Sequence, residues 1–96
     1  MKKETRQDLI TLIKTRKIKG YEIEKALPEL KNKVREVINE LRVDGELICS
    51  SSQGYWYGNQ EECLATIKQL QDRAEKIMNA ANGMAETIIS TNSNLK

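Results

Sequence analysis

The side chains best suited to hold an anion or read a base edge fall in one short run: Lys31, Asn32, Lys33, Arg35, Glu36, Asn39 and Arg42. Lysine and arginine pair with phosphates or guanine edges, and asparagine can pair with adenine. Of these, Lys31, Arg35, Asn39 and Arg42 fall largely off the apolar face of a helix and are free to meet solvent or a partner. The competing expectation is a solvated face on which Glu36 and Glu40 pair with neighbouring cations at helical spacing. Lys17 and Lys19 belong to a second basic run with Lys14 and Arg16. Such a run suits either the C-terminal end of a helix or a phosphate. A third set, Ser51, Ser52 and Gln53, is uncharged but can donate hydrogen bonds to phosphate or reach a minor groove.

Other chemistry is poorly served. The chain has no histidine, no glycine-rich phosphate loop, and no nucleophile and base at recognisable spacing. The acids Glu22, Glu24, Glu29, Glu36 and Glu40 are spread over helical segments, the usual place for solubilising charge. No enzyme and no cofactor are expected. A Cys/His zinc site is excluded, and no metal is expected. Cys49 and Cys63 read as two reduced, buried thiols. Net charge is only +2, but residues 1–20 carry seven cations against two acids, a local +5. An anionic partner should meet that end. From 46 to 62 there is no lysine or arginine at all.

At 96 residues with 39% hydrophobic content, the chain is one domain with an appendage. Leu9, Ile10, Leu12 and Ile13 stripe a first helix over 5–15, with Thr5 and Asp8 at its start. Ile18, between cations, suits a one-residue strand. A short helix over 21–27 follows, and Pro28 opens a longer one reaching residue 43. In that helix Val34, Val37, Ile38 and Leu41 share a face. Gly45 sits where a helix commonly ends in a left-handed residue. Leu47, Ile48 and Cys49, then Tyr55, Trp56 and Tyr57, form two short strands around a polar loop. Alternation puts Tyr55 inward and Trp56 on the opposite face, packed on the next helix or left as a contact residue. Asn59 and Glu62 form a capping-box-like start. Beyond them Cys63, Ile67, Leu70, Ala74, Ile77, Ala81, Met84 and Ile88 recur at alternating steps of four and three, a heptad pattern. Gly83 interrupts this segment and is expected to end its main helix.

The expected architecture is mainly α with a small β-wing. Residues 1–58 form a winged helix-turn-helix, 59–90 a C-terminal helix for dimerisation or packing, and 91–96 a disordered tail. No stretch is long and apolar enough to span a membrane. The N-terminus lacks a signal core, so a cytoplasmic location is expected.

The run 18–55 resembles the winged helix-turn-helix domain at the N-terminus of biotin-operon repressors and related bacterial regulators. Ile23, Ala26 and Leu27 carry the resemblance in the second helix. Val34, Ile38, Leu41, Arg42 and Gly45 carry it in the third, and Ile48, Ser50, Gly54 and Tyr55 in the hairpin. The chain is also similar to small winged-helix proteins of phages and prophages of Gram-positive bacteria, which makes the expected cytoplasm that of a bacterial host cell. The resemblance implies a reading helix over 30–43 that enters a major groove, with Lys31, Lys33 and Arg35 at phosphates or guanine edges, Asn32 at adenine, and Asn39 and Arg42 at the nucleic-acid backbone. The leading expectation is a double-stranded DNA-binding regulator of phage transcription or replication. It would act as a homodimer through Ile67, Leu70, Ala74, Ile77, Ala81 and Met84. The alternative is an adaptor that binds a host replication or transcription protein, which the uncharged wing and Trp56 favour.

Overall fold

The computed structural model describes residues 2–94, with only the backbone described at 93 and 94. Helices α1 (Lys3–Thr15), α2 (Gly20–Ala26) and α3 (Val34–Val43) come first, with a 3-10 turn at Pro28–Leu30 between α2 and α3. Strands β1 (Ile48–Ser51) and β2 (Gly54–Tyr57) form an antiparallel hairpin, and α4 (Gln60–Asn94) follows. The protein is thus mainly helical, with a small two-stranded sheet and a long C-terminal helix. It divides into two units, the first ending at Thr66 and the second beginning at Ile67.

The first unit is built on one core. Leu9 and Ile13 of α1, Ile23 of α2, Leu30, Val34, Val37, Ile38 and Leu41 of α3, and Ile48 of β1 are all buried together. Each fully buried Leu or Ile contributes roughly 1.5–3 kcal/mol relative to exposure. Ile18 does pair as a lone bridge: its N–H donates to the Tyr55 carbonyl at 2.9 Å, and the Tyr55 N–H returns the bond at 2.8 Å. The hairpin register sets Ile48 opposite Tyr57 and Ser51 opposite Gly54. Gly54 has φ +122°, and a Cβ there would overlap the Ile18 backbone, so only glycine allows this three-way approach. Gly45 ends α3 at φ +98°. Its N–H reaches the Arg42 carbonyl at 2.9 Å and the Glu46 N–H reaches that of Leu41 at 3.0 Å, a paired closure of the last turn.

The structure corrects five expectations. Helix α1 begins at Lys3, and Thr5 lies inside it rather than capping it. Thr5 is buried, and its hydroxyl donates to Glu29 Oε1 at 3.0 Å, tying α1 to the 3-10 turn. The expected single helix over 30–43 is broken. Residues 31–33 form a turn in which Asn32 stands at φ +63°, and α3 proper starts at Val34. Gly83 does not end α4, since no proline or competing cap is present and the helix runs on to Asn94. Residues 91–94, expected in a disordered tail, are helical, while 95 and 96 lie outside the described residues. Finally, the first unit extends past residue 58, because Cys63 and Thr66 are buried.

In the second unit every residue from 67 to 92 is exposed, including the expected interface residues Ile67, Leu70, Ala74, Ile77, Ala81 and Met84. Among the described residues no helix is long and apolar enough to cross a membrane.

Candidate nucleic-acid interface

Helix α3 turns Val34, Val37, Ile38 and Leu41 into the core and leaves Arg35, Glu36, Asn39, Glu40 and Val43 exposed. At 100° per residue, Glu36, Asn39 and Val43 lie nearest the middle of the outward face. Glu40 and Val43 are additions to the sequence-derived set. Val43, 78% exposed, is a large aliphatic side chain at the end of a polar face. Its angular position was legible, but its apolar type hid it.

Lys31, Asn32 and Lys33 are all exposed, in the turn that leads into α3 rather than on the helix. The turn is fixed by its backbone. The Asn32 N–H donates to Glu24 Oε1 at 3.0 Å, so α2 holds the loop that delivers α3. The left-handed backbone at Asn32 suits asparagine better than most residues, because its short amide tolerates positive φ. Asn32 thus has a structural reason for its type, independent of any adenine.

Arg42 departs from expectation. It is half-buried, and its Nε donates to the Ile48 carbonyl at 2.9 Å and its Nη2 to Ser50 Oγ at 3.1 Å. These bonds clamp the end of α3 to β1. Its guanidinium is engaged inside the fold rather than presented as a backbone contact.

The N-terminal cations divide similarly. Lys17 and Lys19 are exposed, but Lys17 Nζ sits 4.4 Å from the centre of the Trp56 ring and 3.5 Å from Gln53 Oε1. Lys14 Nζ lies 4.9 Å from the Tyr57 ring centre. Cations over aromatic faces gain about 0.5–1 kcal/mol at such sites. The Lys19 carbonyl receives the first N–H groups of α2, and its own N–H donates to Glu22 Oε1 at 3.1 Å. Glu22 also pairs with Arg16 at 3.1 Å. The Lys19 backbone bond and then Arg16 hold the Glu22 carboxyl below its ordinary range. Arg6 forms an ion pair with Asp44, which raises its pKa.

At the hairpin tip Ser51, Ser52 and Gln53 are exposed. The Ser51 hydroxyl accepts the Gln53 N–H at 3.0 Å and shapes the turn. Trp56 is half-buried, and its indole N–H donates to Glu62 Oε2 at 2.9 Å. Glu62 also completes the expected capping box: Asn59 Oδ1 accepts the Glu62 N–H at 2.9 Å, and Glu62 Oε1 accepts the Asn59 N–H at 3.2 Å. Trp56 thus lies between Lys17 and the first turn of α4. Proximity of Lys17 to Trp56 was missed in sequence because the pair is distant along the chain. Tyr57 donates to the Glu46 carboxylate, and this bond, then burial, raises the tyrosine pKa.

Cys49 and Cys63 are free, buried thiols with sulfurs 3.2 Å apart. Burial, then the contact with Cys49, pushes the Cys63 pKa up to about 11. Among the described residues no group of three or more metal-ligating side chains gathers. Set against known protein families, curated proteins and solved structures, the chain finds no match in any of the three.

Proposed function

We propose that this chain is a double-stranded DNA-binding protein of the winged helix-turn-helix type, acting as a homodimer in the regulation of phage or prophage transcription or replication. The observation that carries this reading is the outward face of α3. Arg35, Glu36, Asn39 and Glu40 are exposed there, and the exposed Lys31, Asn32 and Lys33 stand at its entrance. A helix of this width enters a major groove, where the two lysines bind phosphate. Asn39, expected from the sequence at the nucleic-acid backbone, is reassigned to base edges because it lies near the middle of the outward face. Arg42 positions α3 against the hairpin instead of contacting DNA. The dimer rests on the exposed heptad stripe of α4.

Fluorescence anisotropy with genomic and random duplexes tests the reading. Binding tighter than micromolar is expected at low salt, weakening steeply as salt rises. Replacing Lys31 and Lys33 with alanine should weaken all duplexes alike, whereas Asn39→Ala should erode discrimination between them. No duplex binding below about micromolar at low salt overturns it.

A second reading is an adaptor that binds a host replication or transcription protein. It is favoured by the absence of lysine and arginine from 46 to 62 and by the engagement of Lys17 with Trp56. Stoichiometric, DNA-independent recovery of one host protein with the full chain, lost on substitution of Gln53, would support it.

A further inference from the structure

The heptad stripe of α4 is uneven in a way that bears on how two copies meet. One row of the seam holds Ile67, Ala74, Ala81 and Ile88, and the other holds Leu70, Ile77 and Met84. In a parallel pair each residue faces its own copy. Ala74 and Ala81 would form two narrow layers, while Leu70, Ile77 and Met84 would form wide ones between and beside them. Narrow and wide layers favour different helix separations, so a parallel pair has either voids beside Ala74 and Ala81 or crowding at the large layers.

An antiparallel pair mixes the two rows, so a small residue can face a large one. Two registers do this. One, centred between Glu75 and Lys76, sets Ile88 opposite Cys63, which is buried against Cys49 and presents nothing to a partner. The other, centred on Asn79, sets Ala81 opposite Ile77, Ala74 opposite Met84, and Leu70 opposite Ile88. It also brings Met78, 57% exposed, beside its own copy at the two-fold axis, so that a further apolar side chain is covered. Asn79 itself points away from the seam, where its amide is hydrated.

We infer that α4 pairs antiparallel with α4 of a second copy about a two-fold axis at Asn79, each Ile77 packing against the partner's Ala81. This rests on the dimer reading above and adds its orientation and register. The two-fold axis then crosses α4 instead of running along it.

Disulfide trapping separates the arrangements in the full-length chain. Chains carrying Ile77→Cys are mixed with tagged chains carrying Ala81→Cys and oxidised, with the unsubstituted chain as control for Cys49 and Cys63. The mixed disulfide should form, and Ala81→Cys alone should give no homodisulfide. An Ala81→Cys homodisulfide with no excess of the mixed product overturns the antiparallel pairing and leaves the dimer standing. A spin label at Gln69→Cys gives a second readout. Antiparallel chains hold its two copies about 30 Å apart along the axis, whereas parallel chains hold them side by side. A side-by-side distance in a sedimenting dimer overturns the inference alone. A monomer at every concentration overturns both it and the dimer reading.

Discussion

Ile38 and Ile77 are the same residue on helices that each carry an apolar stripe, yet Ile38 is 1% exposed and Ile77 61%. Leu9 and Leu70 repeat the contrast, at 0% and 37%. In residues 1–66 the apolar faces of several short elements close on one another, and the hairpin supplies the remaining wall. From Ile67 on there is a single helix, and a single helix cannot bury its own stripe. Periodicity in a sequence therefore writes a face in both regions. Whether that face is closed within the chain depends on how many elements carry one.

The largest expected effect tests this division. Ile38→Ala should cost about 2–5 kcal/mol, because it removes buried methyl groups from a packed core. The urea midpoint followed by fluorescence of Trp56, the one tryptophan, reads that loss directly. Ile77→Ala should leave the same midpoint within about 0.5 kcal/mol at concentrations where the chain is monomeric. It should weaken self-association instead, as read by sedimentation. Equal destabilisation by the two substitutions would break the contrast between the regions.

A smaller effect separates cations that hold the fold from cations that face outward. Arg42→Ala should cost about 1–3 kcal/mol, because it strips partners from the Ile48 carbonyl and Ser50 at the junction of α3 and β1. Arg35→Ala, on the exposed face of the same helix, should change stability by less than about 0.5 kcal/mol while weakening duplex binding. Unfolding midpoints and anisotropy titrations on the two variants check both halves. If Arg42→Ala were neutral for folding and lowered duplex affinity instead, Arg42 would rejoin the contact set.

How much of this was legible in the sequence follows from the range of each interaction. The buried face of α3, the left-handed Gly45, the Ile18 bridge and the Asn59–Glu62 box are local patterns, or depend on a single partner type, and all are present. What sequence spacing could not supply were contacts made across the fold. Thr5 looked like a cap because its chemistry suits one, but a buried bond to Glu29 claims its hydroxyl. The break at 31–33 was hidden because Lys31, Asn32 and Lys33 are tolerable in a helix; the deciding group is Glu24, eight residues before Asn32. Arg42 sat at an outward-looking spacing, but a long guanidinium can turn back onto a strand, and β1 offers it two acceptors. Gly83 weakens a helix by only about 1 kcal/mol, too little to stop one without a cap.

The smallest effect expected is a pH dependence that belongs to the first unit. Folding raises the Cys63 pKa from an ordinary 9.0 to about 11, because burial and the neighbouring Cys49 sulfur disfavour the thiolate. Glu62 adds to the rise and Arg42 opposes it. The native state therefore keeps a proton that the unfolded chain releases, so this contribution to stability is whole below pH 9 and is lost as pH climbs toward about 11. Tyr57, raised by its bond to Glu46, extends the loss in the same direction. Urea midpoints measured from neutral pH upward should decline through that window, and Cys63→Ala should flatten the decline whatever its effect at neutral pH. Tyr57→Phe should remove a further part, toward the alkaline end. The proposed self-association through α4, which presents neither group in its exposed stripe, should not follow this curve. If dimer dissociation and the Trp56 transition shifted together across the same pH range, the two regions would be energetically coupled, and the exposed helix would report on the core after all.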